Sequence, residues 1–284
     1  MKVNLALLQE VSGGFKEFFD NLIARPHNFT ADQPGDVVQY VEAHDNLTLH
    51  DVIAESIKKD PIIHKEEIHA RIRLANTMVL TSQGIAFIHA GQEYGRTKQF
   101  RHPDYKTMVE KWEDIPDNST YFTDRRGKPI EYPYFIHDSY DASDAVNKFE
   151  WEKALGNNGY DIEHQTVQHM RGLIELRKST DAFRLADYDL ISKNTELLEV
   201  AEIKDKDVSI AYKVRGSQAN DEYIIIINGN MRQRVFTLDE NIEKWTVIGD
   251  QVEVNHQGIN KYKGITINKN QVKLVGLTAA IFKK

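Results

Sequence analysis

The chain reads as an α/β part followed by a β part, and three observations carry that reading. A nearly continuous apolar run, Ile85-Ala86-Phe87-Ile88-His89-Ala90, follows an amphipathic helical pattern, which itself follows an earlier apolar run from Val37 to Val41. Strands covered on both faces are written this way, because neither face has to meet water. Beyond about Phe183 the pattern breaks into short runs such as Val208-Ser209-Ile210-Ala211-Tyr212-Lys213-Val214, where apolar and polar residues alternate as half-buried antiparallel strands require. Within the α/β part, residues 91–163 are rich in Asp, Asn, Pro and aromatics and read as one irregular loop. It is far longer than the roughly 12–15 residues at which unstructured connections become uncommon, so a functional role is expected of it.

Taken in order, a short apolar helix near the start is followed by Phe15, Phe18, Phe19, Leu22 and Ile23, which recur at helical spacing up to Pro26 and predict a connecting helix. A strand is expected over Val37 to Ala43, a helix from near Thr48, and a second helix from Glu67 to Ser82. Its stripe is Ile68, Ile72, Ala75 and Val79, and Gly84 ends it. With the strand Ile85 to Ala90 this makes one βαβ unit. A last helix, His164 to Lys178, aligns Val167, Met170, Ile174 and Arg177, with Leu173 and Leu176 widening the stripe. Strands then follow at Val208 to Val214, Tyr223 to Ile227, Val235 to Leu238, Trp245 to Ile248, Gly264 to Ile267 and Gly276 to Phe282, which suit an antiparallel β-sandwich. Asn228-Gly229 predicts a hairpin between the second and third of these, because both residues tolerate positive φ. The expected division is residues 1–183 and 184–284.

Composition narrows the function classes. The chain has 284 residues, of which 40% are hydrophobic and 28% charged, as in soluble globular proteins. Its formal net charge of −7, with no dense Lys/Arg run, argues against a nucleic-acid surface. Cysteine is absent, which removes disulfides, thiolate metal sites and thiol nucleophiles. No apolar stretch approaches the roughly 20 residues that span a bilayer, and Met1 to Glu10 is too short and soon too polar for a signal peptide. The compartment stays open; an export signal, if there is one, is expected on upstream polypeptide.

The most informative stretch is Glu42-Ala43-His44-Asp45-Asn46, directly after an apolar run. A carboxylate at the end of a strand can hold its charge against hydroxyl groups or a developing positive centre, which suits sugar chemistry. The same residues also fit a plain turn in which Asn46 or Thr48 caps the next helix, supported by Asp51. Trp112 and Trp151 could stack on sugar rings, although filling a local core is the favoured reading. His44, His50, His64 and His69 form no coherent metal pattern, and Ser56-Ile57-Lys58-Lys59 stands without the companion motifs of a Ser-x-x-Lys enzyme. No cofactor is expected, and calcium is left open.

The string Tyr40-Val41-Glu42-Ala43-His44-Asp45-Asn46-Leu47-Thr48-Leu49 resembles the fourth signature region of the alpha-amylase clan, in the form found in type I pullulanases. Three further stretches in the same order are similar to that branch. They are Gly84 to Glu93 with Arg96-Thr97-Lys98, the Ser139-Tyr140-Asp141-Ala142-Ser143-Asp144-Ala145-Val146-Asn147 loop, and Leu173 to Lys178. The resemblance implies the last two βα units of a TIM-type barrel, followed by a β-sandwich. It implies retaining hydrolysis of α-1,6 branch linkages in pullulan, glycogen or starch dextrins, with an α-glucan as partner. Asp45 would then assist the transition state and His44 would bond the hydroxyls of the same sugar. Asn46, Glu93, Tyr140 and Asp144 would line substrate subsites. Lys148 stands where some relatives have arginine, a departure that weakens the case for a bidentate contact there.

Retaining enzymes need a nucleophile and an acid/base carboxylate about 5 Å apart. The family carries these in Gly-Phe-Arg-x-Asp and Gly-Glu motifs, and neither occurs in this sequence. The expectation is therefore a fragment, inactive by itself, whose two barrel strands want the missing front of the barrel or another copy of the chain as a partner. A non-catalytic glucan-binding module and a docking half that completes a split barrel are the alternatives. For single residues, Glu93 and Arg96 could form a structural ion pair, and Tyr140 and Asp144 could lie in a solvated loop.

Overall fold

The computed structural model describes residues 15–101, 118–204, 207–218 and 221–284. The short helix expected near the start and Trp112 lie outside them. Two compact units can be distinguished. One comprises the described residues up to Val41, then Arg73–Phe87 and everything from Gln168 onward; the other comprises Glu42–Ile72 and Ile88–Val167. Helices are α1 (Phe15–Leu22), α2 (Leu49–Ile57), α3 (Lys65–Thr81), α4 (Asp144–Asn147), α5 (Trp151–Leu155), α6 (Asp161–Ser179) and α7 (Tyr188–Asn194). The first strands are β1 (Val38–Gln39), β2 (Ile85–Ala86), β3 (Ser119–Thr123) and β4 (Pro129–Ile136).

β1 and β2 pair in parallel, with Val38 opposite Ile85 and Gln39 opposite Ala86. They are shorter than the expected Val37 to Ala43 and Ile85 to Ala90. The last bond along this pair runs from the Phe87 amide to the Gln39 carbonyl at 2.9 Å. The entry to β2 depends on Gly84, at φ 87°, where a Cβ would lie 2.6 Å from the Val37 carbonyl oxygen. Only glycine lets the chain turn out of α3 so close to β1. Arg177 of α6 fixes the same corner: its guanidinium donates to the carbonyl of Leu80 in the last turn of α3 (3.0 Å) and to those of Ser82 (2.7 Å) and Gly84 (2.7 Å) just beyond it.

The described residues between 91 and 163 hold more regular structure than the single irregular loop predicted from the sequence. β3 and β4 form an antiparallel hairpin with Phe122 stacked on Phe135 at 3.9 Å. Its turn is set by Asp124, whose Oδ1 accepts the amides of Arg126 (2.8 Å) and Lys128 (2.9 Å), and by Gly127 at φ 77°. α4 and α5 follow. α6 begins at Asp161 rather than His164, and its buried face is Met170, Leu173 and Leu176, while the predicted stripe member Ile174 is exposed. Gly172 explains part of that rotation, because the Val254 carbonyl oxygen occupies the place its Cβ would take, 1.9 Å away. α7, capped by Asp187 accepting from the Leu190 amide at 2.8 Å, was not anticipated.

The remaining strands are β5 (Thr195–Leu197), β6 (Ser209–Arg215), β7 (Glu222–Asn228), β8 (Arg234–Thr237), β9 (Thr246–Gly249), β10 (Ile265–Asn268), β11 (Gln271–Leu274) and β12 (Thr278–Lys283). They form a five-stranded sheet in the order β5-β6-β7-β12-β9 and a three-stranded sheet in the order β10-β11-β8, with antiparallel neighbours throughout. One buried cluster draws Ala211, Ile224, Ile226, Val247, Ala280 and Phe282 from the first sheet and Phe236, Ile265, Val272 and Leu274 from the second. The opposite face of the larger sheet is buried as well: Tyr212 meets Phe19 of α1 and bonds Thr81 of α3, and Tyr223 meets Phe183. This double coverage is why β6 and β7 are buried nearly throughout instead of alternating.

The expected hairpin at Asn228-Gly229 does not form. β7 pairs with β6 and β12, and β8 belongs to the other sheet. Neither Asn228 nor Gly229 has a positive φ. Asn228 is used differently: its side-chain amide donates to the carbonyls of Arg232 (3.0 Å) and Val275 (3.0 Å), holding the crossing between sheets.

Candidate functional site

All six predicted site residues fall in the unit made of Glu42–Ile72 and Ile88–Val167. His44 and Asp45 are side by side, with the imidazole Nε2 3.3 Å from Asp45 Oδ1, and their side chains are 83% and 75% exposed. Asn46 follows with φ 63°, in the left-handed region that asparagine tolerates better than most residues. The turn that presents these three is held from beneath by buried groups. Glu42 accepts the Leu49 amide and lies 3.1 Å from His89 Nδ1, so the residue before Ala43-His44 ties the start of the turn to its end. Thr48 caps α2, its hydroxyl accepting the Asp51 amide at 3.3 Å. Capping is therefore the work of Thr48, which leaves His44, Asp45 and Asn46 free to face solvent.

Asp51, fully buried, is more than a helix-start residue. Its carboxylate accepts the Thr97 hydroxyl (2.5 Å) and the Lys98 amide (2.7 Å), and His50 Nδ1 lies 2.9 Å away. Lys98 is buried too. Its ammonium donates to the Asn46 carbonyl (2.5 Å), the His137 carbonyl (3.4 Å) and the Ser139 hydroxyl (3.5 Å). Burial pulls the Lys98 pKa below the usual lysine range, opposed in part by the Asp51 charge.

The other predicted residues are held by bonds of their own. Glu93 lies in the turn Gln92–Tyr94, where its carboxylate accepts the Gly91 amide at 2.8 Å. Arg96 donates to the Val146 carbonyl and to Asn147 Oδ1, each at 3.2 Å, which anchors the short helix that begins with Asp144. Asn147 in turn donates to the Ser139 carbonyl (2.7 Å) and the Ala142 carbonyl (3.1 Å), closing the loop around Tyr140. Tyr140 is 95% exposed, and Asp144 and Lys148 are exposed. Trp151 is 67% exposed, contrary to the expected core role; it rests on Phe149 (4.7 Å), which meets the buried ring of Tyr94 (4.9 Å).

The arrangement is thus a set of exposed carboxylate, imidazole, phenol and amide groups on two loops, 44–46 and 139–144, over a floor of buried polar ties. Sequence reasoning named the exposed groups from their motifs. It gave no role to Glu42 or Lys98 and only a capping role to Asp51, though all three lie inside or beside the quoted motifs. Among the described residues no group of three His, Cys, Asp or Glu side chains is placed to hold a metal ion. No helix among them is long and apolar enough to cross a membrane.

Residues 194–284 match a family model described as "SpuA C-terminal". Pullulanase A of Streptococcus pneumoniae is 45% identical over 96% of this chain and 22% of its own length. The pullulanase of Bacillus subtilis is 28% identical over 69% of this chain and 21% of its own length. Among solved structures, the catalytic module of the multi-modular glycogen-degrading pneumococcal virulence factor SpuA, in complex with an inhibitor, shares 44% identity at a TM-score of 0.92, covering 98% of this chain and 40% of that one. The group B Streptococcus pullulanase SAP in complex with maltotetraose shares 45% identity at a TM-score of 0.90, covering 98% and 36%. By sequence and fold the chain is thus homologous to the C-terminal part of pullulanases. It spans about a fifth of the length of the curated relatives it matches.

Proposed function

We propose that the chain is the C-terminal portion of a retaining pullulanase that cleaves α-1,6 branch linkages in pullulan, glycogen or starch dextrins. It supplies the transition-state-assisting Asp45 and its neighbour His44, with Asn46, Glu93, Tyr140 and Asp144 lining subsites. The observation that carries this reading is the exposure of His44 and Asp45 on a turn tied by Lys98 to the loop that leads to Tyr140 and Asp144. In this reading residues 1–183 hold the last two βα units of a TIM-type barrel, and residues 184–284 form a β-sandwich.

The chemistry follows from the groups present. In water an exposed carboxylate gains little from one more hydrogen bond. When a sugar ring covers Asp45 and His44 and displaces water, the same carboxylate acts in a lower dielectric. Bonds from the sugar hydroxyls to Asp45 then strengthen as the ring flattens and positive charge develops at its anomeric carbon. Asp45 neither attacks that carbon nor protonates the leaving oxygen. Those steps need two carboxylates from the motifs that this sequence does not carry, so the chain alone is predicted inactive.

The docking alternative has an observation of its own. Among the described residues β1 and β2 pair only with each other, and Ile85 and Phe87 are 50% and 42% exposed, which suits further strands on that surface. The test is to incubate the chain with pullulan alone and after mixing with a polypeptide that carries the Gly-Phe-Arg-x-Asp and Gly-Glu motifs. Reducing sugar is expected only from the mixture. Turnover by the chain alone contradicts the division of labour, and an inactive mixture that nevertheless co-elutes counts against the role of Asp45.

A further inference from the structure

Lys98 is an unusual choice for its position. It is 3% exposed, yet an ammonium without compensation is among the costliest groups to bury. Its three donors meet three oxygens: the carbonyl of Asn46, the carbonyl of His137 and the hydroxyl of Ser139. The first belongs to the turn carrying His44 and Asp45, and the other two to the start of the loop carrying Tyr140 and Asp144. The backbone of Lys98 is fixed independently, because its amide and the neighbouring Thr97 hydroxyl both bond the buried Asp51 carboxylate of α2. The ammonium therefore reaches outward from a fixed point to two loops that share no regular secondary structure. An apolar side chain of the same length would avoid the desolvation but would leave those acceptors without this donor, and residue 98 would hold only the end of β4, through its carbonyl and the Ile136 amide at 3.0 Å, and no longer the Asn46 turn.

We propose that Lys98 is a positioning residue that holds the His44–Asn46 turn and the Ser139–Asp144 loop together as one glucan-binding face. It does not touch the sugar. Its effect is transmitted through the Asn46 carbonyl on one side and through Ser139 on the other, where Asn147 and Arg96 continue the tie to the helix that starts at Asp144. The proposal rests on the glucan-binding reading above for its ligand, but its geometric content is independent of it: without the ammonium the Asn46 turn loses its tie to His137 and Ser139.

The chain has no cysteine, which makes a direct test available. Lys98→Cys introduces one thiol that can be aminoethylated in denaturant, restoring an ammonium at nearly the length of lysine before refolding; methylthiolation of the same thiol is the neutral control. Hydrogen exchange, thermal melting and maltotetraose calorimetry are compared for wild type and all three forms. Expected for K98C and the methylthiolated form is faster exchange confined to residues 44–48 and 137–143, a retained cooperative melt, and maltotetraose affinity at least about tenfold weaker. The aminoethylated form should recover most of both. Wild-type exchange and affinity in K98C overturn the proposal, as does recovery by methylthiolation. Should K98C not refold, Lys98→Met is measured in its place, and refolding rescued only by aminoethylation supports the tie. A wild-type chain that binds no maltotetraose defeats the glucan reading, whereas the exchange comparison still decides whether Lys98 joins the loops.

Discussion

Asp45 and His169 mark two extremes of what one titratable side chain does in this fold. Asp45 is exposed and, in the proposed function, serves a bound sugar. In an enzyme assembled with the catalytic carboxylates, Asp45→Asn keeps the shape but removes the charge, and we expect kcat to fall by about 10²–10³ with a smaller change in KM, the pattern of a group felt mainly in the transition state. Steady-state kinetics on pullulan checks this, and an unchanged kcat contradicts it. His169 is buried on α6. Burial, reinforced by the nearby Arg73 charge, lowers its pKa to about 3 from the ordinary 6.5. The folded chain thus keeps His169 neutral between those values, whereas the unfolded chain takes up a proton there. The stability this linkage governs is fully present above about pH 6.5 and is progressively lost as pH falls toward 3. Thermal melts should show a steeper decline from pH 7 to pH 4 for wild type than for His169→Gln; parallel declines contradict the assignment.

At the scale of elements, close packing and shared caps decide the outcome more than propensity does. Gly172 sits mid-helix, where glycine is ordinarily unfavourable, because the Val254 carbonyl needs its space. Gly172→Ala should therefore destabilise by about 1–3 kcal/mol or more, against the gain that alanine brings to an open helix, and denaturant melts measure the sign. Arg177→Met removes three charge-assisted bonds from the turn between α3 and β2 and is expected to cost about 2–4 kcal/mol. The elements also show what the sequence made readable. Helices α3 and α6 and most strands of the β part announced themselves by period, while the hairpin of β3 and β4 hid behind Pro129 and Pro133 even though Asp124 and Gly127 mark its turn. The run at Tyr223 to Ile227 was legible as a strand, but its neighbour was not: Asn228-Gly229 looks like a hairpin locally, and only the demand that Phe236, Val272 and Leu274 share a cluster with Ile224 and Ile226 sends β8 to the second sheet.

For the whole molecule, the candidate site was legible in its exposed members and illegible in its supports. His44, Asp45, Tyr140 and Asp144 are named by motif, because chemistry fixes their types. Glu42, Asp51 and Lys98 are buried polar residues, each with a partner 47 or 52 positions away, and no local pattern announces such bonds. The β part, with its cluster drawn from two sheets, gives the chain a core of its own, whereas the parallel pair β1 and β2 leaves Ile85 and Phe87 substantially exposed. We accordingly expect the isolated chain to melt cooperatively and yet to associate through that pair; sedimentation that stays strictly monomeric at high concentration contradicts the association.

The central claim is that the turn at His44–Asn46 and the loop at Ser139–Asp144 make one surface for an α-glucan. Titrating the isotope-labelled chain with maltotetraose and following backbone amide resonances tests it most directly. Saturable shifts centred on residues 44–46, 93 and 139–144, abolished by Asp45→Ala, are the result this account predicts. Shifts confined to residues 184–284, or none at all, would contradict it.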